Sequence, residues 1–356
     1  MIFEQLSSLE HEQVVFCHDK ETGLKAIIAI HNTVLGPALG GTRIWKYNNE
    51  EAALNDVLRL SRGMTYKSAI SGIHLGGGKA VIIDSEGLQK GEAFWRRYGR
   101  FVNSLNGKYY TAEDVGTSTR IMEYIAQETK FVAGKPDYLG GSGDPSPVTA
   151  YGVYLGMKAA VKYKYGSDKL TGKTVAVQGA GHVGQYLIDH LVKEGAKVTI
   201  CDINEQNISL VTDKHSSVKV VAPNDIYDLD AQIYAPCALG ATLNDDSIAR
   251  MKFEVVAGAA NNQLADEVKH GQILRERGVV YAPDFLINAG GVCNVYTEVS
   301  PSGYHKGLAM SLTEQIYDRT LEILHLADAE NIGVQQAAMK LAQARIDSIA
   351  KMKARM

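Results

Sequence analysis

The spacing of apolar residues predicts short strands and helices in the first third of the chain. Apolar runs at 14–16 and 25–31 lie on either side of a turn-like segment at 19–23, and this arrangement predicts a β-hairpin. Residues 51–62 repeat apolar positions at helical spacing and predict a helix. A short apolar run at 79–84 directly follows a glycine cluster and predicts a strand that rises out of a glycine loop.

After residue 173 the pattern changes to a regular alternation of apolar strands and amphipathic helices. The predicted strands are 173–178, 197–201, 218–222, 232–235, 253–257 and 279–282. Nearly continuous apolar strands that alternate with helices are typical of a parallel sheet covered on both faces. The tail at 310–356 repeats apolar positions at helical spacing and predicts further helices.

A segment rich in glycine and proline at 138–147 is the best candidate for a linker between domains. Within it, Ser146 followed by Pro147 is typical of a helix N-cap followed by the first helical position. We therefore predict an α/β protein of two domains, with a mixed α/β domain at 1–145 and a parallel-sheet domain at 146–327.

Composition and charge exclude several classes of protein. The 356 residues suggest about two domains at ~150 residues each, and the 45% hydrophobic content is enough to bury their cores. The net charge of -3 argues against a generally basic nucleic-acid-binding protein. No apolar run reaches the ~18 residues of a membrane span, and the N-terminus lacks the pattern of a signal peptide.

The cysteine and histidine patterns narrow the choice further. The four cysteines lie far apart without a CxxC pair, which argues against a zinc ribbon or a disulfide framework and predicts a cytoplasmic location. The ten histidines are scattered and no HExxH occurs, so we predict no metal site.

A complete GxGxxG motif marks a candidate dinucleotide site. It consists of Gly179, Ala180, Gly181, His182, Val183 and Gly184. A lone match is weak, but this motif follows a predicted strand and opens a predicted helix. The first glycine permits the tight turn, the second lets the backbone approach a pyrophosphate, and the third allows close helix–strand packing. The alternative is a glycine turn in an ordinary α/β sheet, with His182 merely solvated.

Asp202 ends the next predicted strand and indicates which dinucleotide binds. A carboxylate at this point of a Rossmann domain bonds the 2′-hydroxyl of the ribose and would repel a 2′-phosphate. Because no arginine immediately follows Asp202, the sequence favours NAD over NADP.

Two lysines near glycine-rich segments are the candidate catalytic and substrate-binding residues of the first domain. Three glycines precede Lys79, but Ala80 stands where a Walker loop requires Ser or Thr. The glycines instead let a ligand or another backbone segment lie close to the lysine. A buried lysine can act as a base and a second lysine can hold a carboxylate, so Lys79 and Lys67 are a possible pair, with Asp114 as the nearest proton carrier. The alternative is that both lysines are ordinary surface charges.

Eight segments spread over nearly the whole chain carry a family resemblance. They are GPALGGTR, RLSRGMTYK, GGGKAVI, YTAEDVG, DPSPVTAYGV, YAPCALGA, AANNQL and YAPDFLINAGGV. With these segments in this order, the chain resembles the amino-acid dehydrogenases of the glutamate/leucine/phenylalanine/valine family. The resemblance is greatest to the members that act on leucine.

The resemblance implies an N-terminal catalytic domain, a Rossmann NAD-binding domain, a cleft between them, and helices at about 328–356 that return to the first domain. It implies that Lys67 binds the substrate carboxylate. It also implies that Lys79 is the catalytic lysine and that Asp114 is its proton-transfer partner. The remaining implied positions are Gly40 and Gly41 beside the substrate, Leu39, Ala112, Val292 and Val295 in the side-chain pocket, and Thr149 and Asn261 at the nicotinamide.

The resemblance also implies a reaction and an assembly. The reaction is the reversible oxidative deamination of branched-chain L-amino acids with NAD, which yields 2-oxo acids and ammonium. An apolar pocket offers no partner to a glutamate side chain, so we expect glutamate to be rejected. The family implies a homo-oligomer, commonly an octamer in the members that act on leucine. The net charge and the lack of a long apolar run predict neither a nucleic-acid nor a membrane partner.

Three alternatives stay open at this point. The first is a related enzyme for phenylalanine, tryptophan or valine, because Ala112 is small and Cys293 interrupts the aliphatic pocket positions. The second is a non-catalytic NAD-sensing protein, against which Lys67, Lys79 and Asp114 argue together. The third is a hydroxy-acid dehydrogenase, which usually relies on a histidine base that this sequence does not offer in a convincing motif.

Overall fold

The computed structural model describes residues 2–300 and 302–354. Contacts between Cα atoms divide these residues into two compact units. Unit 1 holds the described residues up to Pro145, the segment Val292–Ala309, and the described residues from Ala342 onward. Unit 2 holds Ser146–Gly291 and Met310–Leu341.

Unit 1 is built on a five-stranded mixed sheet. Its strands are β1 Gln13–Asp19, β2 Leu24–Asn32, β3 Ala38–Trp45, β4 Gly76–Ile83 and β5 Tyr109–Glu113. They lie in the order β1-β2-β4-β3-β5. The predicted hairpin is the antiparallel pair β1–β2. Strand β3 lies between β4 and β5 and runs parallel to both.

Helices cover both faces of this sheet because successive residues of a strand point to opposite sides. The helices of the first 145 residues are α1 Ile2–Ser8, α2 Glu50–Ile70, α3 Glu92–Ser104 and α4 Thr119–Ala126. Ile28 of β2 packs in a core with the aromatic residues of α3, while Ile27 packs in a second core with Leu54 and Leu58 of α2. Helix α2 extends well beyond the predicted 51–62 and thereby reaches Lys67.

Unit 2 is built on a parallel six-stranded sheet. Its strands are β6 Thr174–Gln178, β7 Lys197–Cys201, β8 Lys219–Val220, β9 Ile233–Pro236, β10 Val255–Val256 and β11 Val280–Tyr281. The order is β11-β10-β9-β6-β7-β8, and every pair is parallel. With β6 counted as strand 1, this is the 3-2-1-4-5-6 order of the Rossmann fold. The order in which successive strands are added reverses between β6 and β9, although all the strands remain parallel. The predicted fold class is therefore confirmed.

The remaining helices complete unit 2 and connect the two units. They are α5 Ser146–Tyr165, α6 His182–Lys193, α7 Glu205–Lys214, α8 Asp245–Arg250, α9 Glu267–Glu276, α10 Asp284–Ile287, α11 Gly290–Val299, α12 Lys306–Ala329 and α13 Val334–Lys353. Ser146 is the first residue of α5 and not its N-cap, one position from the prediction. Helices α11, α12 and α13 each contribute residues to both units.

The return of the chain to unit 1 differs from the predicted point near residue 328. Residues 310–341 pack within unit 2, where Val334 contacts the apolar core. The segment Val292–Ala309 belongs to unit 1, because Glu298 accepts hydrogen bonds from the backbone amides of Gly134 and Ser142. The sequence could not predict this division, because the apolar face of a helix does not reveal against which core the helix packs.

Neither a membrane-spanning helix nor a metal-binding cluster occurs in the part of the chain that the structure describes. The helices within residues 2–300 and 302–354 all lack the combination of length and apolar composition that a membrane span requires. Within the same residues, no group of three or more His, Cys, Asp or Glu side chains is placed to hold a metal ion.

Candidate active site

Lys79 and Asp114 form a largely buried ion pair in unit 1. Lys79 lies on β4 and is 6% exposed, while Asp114 directly follows β5, two strands away in the sheet. The Nζ atom of Lys79 lies 2.7 Å from Oδ2 of Asp114. The structure thus brings together the two residues that the sequence predicts to be catalytic.

A second cation contacts the same carboxylate. Nε of Arg43, on β3, lies 3.3 Å from Oδ2 of Asp114. Burial would raise the pKa of Asp114, but the charges of Lys79 and Arg43 hold that pKa below its ordinary value. Asp114 is therefore an anion at neutral pH and can accept a proton or a hydrogen bond. Sequence patterns alone did not point to Arg43, although it ends the segment GPALGGTR.

The register of the strands places the predicted pocket on the same face of the sheet as the lysine. Leu39 pairs with Gly77 of β4, and Gly41 pairs with Ala112 of β5. Because residues two apart on a strand share a face, Leu39, Ala112 and Lys79 lie on one side. Helix α2, which carries Lys67 near its end, covers this side through contacts with β4. Leu39 and Ala112 are both buried.

The glycines around the lysine are explained by close packing of protein backbone. A Cβ atom at Gly40 would lie 1.7 Å from the carbonyl oxygen of Gly78. A Cβ atom at Gly77 would lie 2.1 Å from the amide nitrogen of Thr65 on α2. At Gly41 it would lie 2.8 Å from Cβ of Asp114, so a side chain there would displace the carboxylate. Of the two predicted reasons for the glycines, the structure shows the approach of another backbone segment.

The other two pocket positions lie on α11. Val295 is buried and Val292 is partly buried, and their spacing of three residues places them on one face of the helix. Near the C-terminal end of this helix, the carboxylate of Glu298 accepts hydrogen bonds from the amides of Gly134 and Ser142. Glu298 had no sequence signal, because its partners are more than 150 residues away.

The glycine loop in unit 2 has the geometry of a dinucleotide turn. Gly179 adopts φ +103°, which only glycine tolerates readily, and a Cβ atom at Gly184 would lie 2.2 Å from the carbonyl oxygen of Gly179. At Gly181 a Cβ atom would meet no described protein atom within 4 Å. Protein packing therefore does not explain Gly181, whereas the approach of a pyrophosphate does. The loop fits the phosphate end of a dinucleotide.

The next residues of the motif begin α6. His182 is exposed and Val183 is partly buried in the first turn of this helix. The first turn of a helix presents backbone N–H groups and a partial positive charge to an anion. The backbone at this point, more than the His182 side chain, is thus suited to phosphate binding.

Asp202 follows β7 and is joined to the glycine loop. Its carboxylate accepts hydrogen bonds from the amides of Ala180, at 2.7 Å, and Asn204, at 2.8 Å. A weaker contact comes from the side chain of Asn207 at 3.4 Å. Because a carboxylate offers about four acceptor sites, Asp202 keeps capacity for a ribose hydroxyl.

The two positions implied at the nicotinamide both lie in unit 2. Asn261 lies in the loop after β10, at the same edge of the parallel sheet as the loops after β6 and β7. The side-chain amide of Asn288 donates to Oδ1 of Asn261 at 2.7 Å and fixes its orientation. Thr149 is partly buried in the first turn of α5. Asn288 is buried and had not been singled out, although it lies in the segment YAPDFLINAGGV.

Comparison with known proteins shows which family combines such a lysine–aspartate pair with a Rossmann unit. The family described as "Glu/Leu/Phe/Val dehydrogenase, dimerisation domain" matches residues 11–131. The family described as "Glutamate/Leucine/Phenylalanine/Valine dehydrogenase" matches residues 140–205 and 199–354. The Rossmann unit and the buried lysine–aspartate pair therefore belong to an amino-acid dehydrogenase, an oxidoreductase that uses a nicotinamide cofactor.

Individual relatives define the family. The chain is 53% identical to the leucine dehydrogenase of Geobacillus stearothermophilus, over 98% of this chain and 94% of the relative. It is 46% identical to the L-tryptophan dehydrogenase of Nostoc punctiforme, over 100% and 99% of the two chains. The crystal structure of the Nostoc enzyme superimposes with a TM-score of 0.86 over 98% of this chain and 99% of that one. The chain belongs to the Glu/Leu/Phe/Val dehydrogenase family, as the resemblance predicted.

Proposed function

We propose that this chain catalyses the reversible, NAD-dependent oxidative deamination of leucine, valine and isoleucine. The reaction converts an L-amino acid, water and NAD⁺ to a 2-oxo acid, ammonium, NADH and a proton. The observation that carries the proposal is the Nζ atom of Lys79, buried 2.7 Å from Asp114 on the sheet face that holds Leu39 and Ala112. Leucine dehydrogenases at 52–53% identity support the choice of substrate.

Each polar group of unit 1 has one task in the proposed mechanism. Lys67 binds the carboxylate of the amino acid and fixes the position of its Cα. Once Cα has been oxidised, the substrate is an iminium that water attacks, and Lys79 in its neutral amine form removes a proton from that water. Asp114 receives and returns protons as the carbinolamine collapses and ammonia leaves. Arg43 and Lys79 together keep Asp114 ionised for this task.

The proposed cofactor site is confined to unit 2. The backbone of Gly179–Gly184 would hold the pyrophosphate, Asp202 the adenosine ribose, and Thr149 and Asn261 the nicotinamide. When bound, the nicotinamide accepts the hydride from Cα of the amino acid. We propose NAD over NADP because the Asp202 carboxylate stands where a 2′-phosphate would be repelled.

The apolar character of the pocket determines the proposed substrate class. None of Leu39, Ala112, Val292 and Val295 can neutralise or hydrogen-bond a glutamate side-chain carboxylate. A missing polar partner discriminates strongly, whereas one methylene is worth only about 1–3 kcal/mol. We therefore expect leucine, isoleucine and valine all to react and glutamate to be rejected. The small side chain of Ala112 and the 46% identity to a tryptophan dehydrogenase make aromatic amino acids the second candidate class.

A panel of amino acids tests the proposal directly. NADH formation is followed by its absorbance with leucine, valine, isoleucine, phenylalanine, tryptophan and glutamate. Each reaction is repeated with NADP⁺ and in the reductive direction. We expect branched-chain substrates with NAD⁺ to give the highest kcat/KM and glutamate to give none. A preference for an aromatic substrate would move the chain to the second class. No turnover with any amino acid would favour a non-catalytic NAD-sensing protein.

We also propose that the protein is a cytoplasmic homo-oligomer, an octamer by its resemblance to the enzymes acting on leucine. Light scattering on a size-exclusion column measures the mass in solution, and a monomer would contradict the proposal. Fractionation of the source cells tests the location, for which the scattered cysteines are the supporting observation.

A further inference from the structure

We propose that Arg43, held in place by Asp56 and Tyr47, is a positioning residue that keeps Asp114 ionised and directed at Lys79. The inference rests on the proposed deamination, because it assigns a partner to that reaction's proton carrier. It adds three side chains to the site that neither the family resemblance nor the motifs singled out. All of them lie in unit 1.

The guanidinium of Arg43 bridges two carboxylates. Its Nε lies 3.3 Å from Oδ2 of Asp114, and its Nη1 lies 3.1 Å from Oδ2 of Asp56 on α2. Because the donors of a guanidinium are fixed in one plane, two acceptors on different edges determine its orientation. The Arg43 side chain is 23% exposed and the Asp56 side chain 15% exposed, so water screens the bridge only in part.

Tyr47 fixes the far end of this bridge. Its hydroxyl donates to Oδ2 of Asp56 at 2.7 Å, the same oxygen that Arg43 contacts. Burial, followed by the neighbouring Asp56 carboxylate, raises the pKa of Tyr47 well above its ordinary value. The hydroxyl consequently remains a donor at every pH at which the enzyme would work. Arg59 also reaches Asp56, at 3.2 Å, but its side chain is 63% exposed.

The register of the sheet explains why Arg43 reaches the reacting pair. Arg43 lies two residues beyond Gly41 on β3 and four beyond Leu39, so all three share the face of the sheet that carries Lys79. β3 lies between β4 and β5. A long side chain on β3 therefore lies next to groups from both neighbouring strands.

The fixed charge of Arg43 controls where the shared proton resides. Arginine stays protonated at all accessible pH values, whereas Lys79 and Asp114 exchange a proton in the proposed reaction. A permanent positive charge beside Asp114 lowers the pKa of its carboxyl group and keeps that group deprotonated. Without that charge, the pair as a whole would hold its proton to higher pH. The rate of amino-acid oxidation would then begin to rise only at higher pH.

The test compares pH–rate profiles of variants that alter the charge, the geometry or neither. For Arg43→Gln, we expect the acidic limb of the kcat profile for leucine oxidation to move up by about 1–2 pH units. We expect kcat at the pH optimum to fall about 10- to 100-fold with a much smaller change in KM, because Lys67 is untouched. Arg43→Lys should restore the position of the limb but only part of kcat, because an ammonium lacks the planar fork.

Two further variants separate positioning from general damage. Tyr47→Phe keeps the charge but releases Asp56, so kcat should fall several-fold without a shift of the limb. Arg59→Gln removes the exposed neighbour of Asp56 and should leave the profile unchanged. Circular dichroism melting curves establish that each variant is folded.

The outcomes distinguish this inference from the proposed function. Inactivity of the wild-type protein with every amino acid would refute the proposed function itself. An active wild type with a folded Arg43→Gln variant that keeps its profile would overturn the role of Arg43. Should Arg43→Gln not fold, unchanged kcat values in both Arg43→Lys and Tyr47→Phe would overturn it equally.

Discussion

At the scale of single residues, the position of Lys79 determines what the site can do. Its ammonium group is buried, and the neighbouring Asp114 carboxylate contacts it at 2.7 Å. A buried lysine that lacked an anion would be strongly destabilised. The pair can therefore move a proton without creating an isolated buried charge, which is the property that the proposed water activation requires.

Replacement of Lys79 tests this role. We expect Lys79→Ala to lose about 10²–10⁴-fold in kcat, the usual cost of removing a positioned base. NADH binding should persist, because the glycine loop belongs to unit 2. Steady-state kinetics and a fluorescence titration with NADH measure the two quantities. Lys90→Ala is the matched control, since it breaks a Lys–Asp pair at 3.0 Å whose lysine is 38% exposed. Similar turnover in both variants would contradict the assignment.

At the scale of elements, the contact between α2 and β4 depends on a missing side chain. A Cβ atom at Gly77 would overlap the backbone of Thr65, whereas a Cβ atom at Gly63, also on α2, would meet no atom within 4 Å. We expect Gly77→Ala to lower the free energy of unfolding by about 1–3 kcal/mol because backbone must move. Gly63→Ala should raise it by about 0.5–1 kcal/mol because alanine favours a helix.

Urea unfolding of the two glycine variants measures this difference. Both substitutions add one methyl group, at Gly77 against the backbone of α2 and at Gly63 into open space. The expected difference in sign therefore reflects both the available space and the helix propensity of alanine. Two changes of the same sign would show that the α2–β4 contact adapts more readily than its distances suggest.

The same helix contacts a buried histidine that makes stability depend on pH. His31 donates to or accepts from Oγ1 of Thr65 at 2.7 Å, and its ring lies 4.8 Å from that of His11. Burial, with further contributions from His11 and Arg62, lowers the pKa of His31 from 6.5 to about 4. The folded protein thus keeps His31 neutral at a pH where the unfolded chain has already bound a proton.

Stability must therefore fall as the pH drops from 6.5 towards 4. For this one group the loss at pH 5 relative to pH 8 amounts to about 2 kcal/mol. We expect the difference between urea midpoints at pH 8 and pH 5 to be smaller in His31→Gln than in the wild type. An equal difference in both proteins would show that other groups cause the acid sensitivity.

Local patterns predicted the elements of the fold better than they predicted the site. The hairpin, the strands of the parallel sheet and the glycine turn follow from short-range spacing, and all of them occur in the structure. The bridge from Asp114 through Arg43 to Asp56 depends instead on β3 lying between β4 and β5. No feature local to Arg43 reveals which strands will be its neighbours, so only the assembled sheet showed it.

At the scale of the whole molecule, the chain enters unit 1 three times. The last of these segments begins at Ala342 and is held to the rest of unit 1 by Arg345 of α13. The Arg345 guanidinium donates hydrogen bonds to the carbonyl oxygens of Ala69 at 2.7 Å and Ile73 at 2.8 Å. Contacts with Ser68 and Gly72 are longer, at 3.3 and 3.1 Å. Carbonyl groups at the end of a helix lack intrahelical partners and carry partial negative charge. Arg345 thus completes the end of α2.

Loss of the Arg345 hydrogen bonds should lower the stability of the folded protein. We expect Arg345→Ala to lower the free energy of unfolding by about 2–3 kcal/mol, because carbonyl groups at the end of α2 lose a charged donor. Lys340→Ala, on the same helix, breaks an exposed ion pair with Glu330 and should change it by at most about 1 kcal/mol. Chemical denaturation compares the two, and equal effects would refute the capping role.

The interrupted path of unit 1 has a consequence for biosynthesis. Ser146–Gly291 leaves the ribosome as one continuous stretch and already contains all six strands of its sheet. The end of the helix that carries Lys67 must wait for Arg345, which is translated almost 280 residues later. A nascent chain can therefore form the parallel sheet of unit 2 while unit 1, which carries Lys79, still lacks its last segment. The proposed amino-acid chemistry would then have to wait until translation is nearly complete.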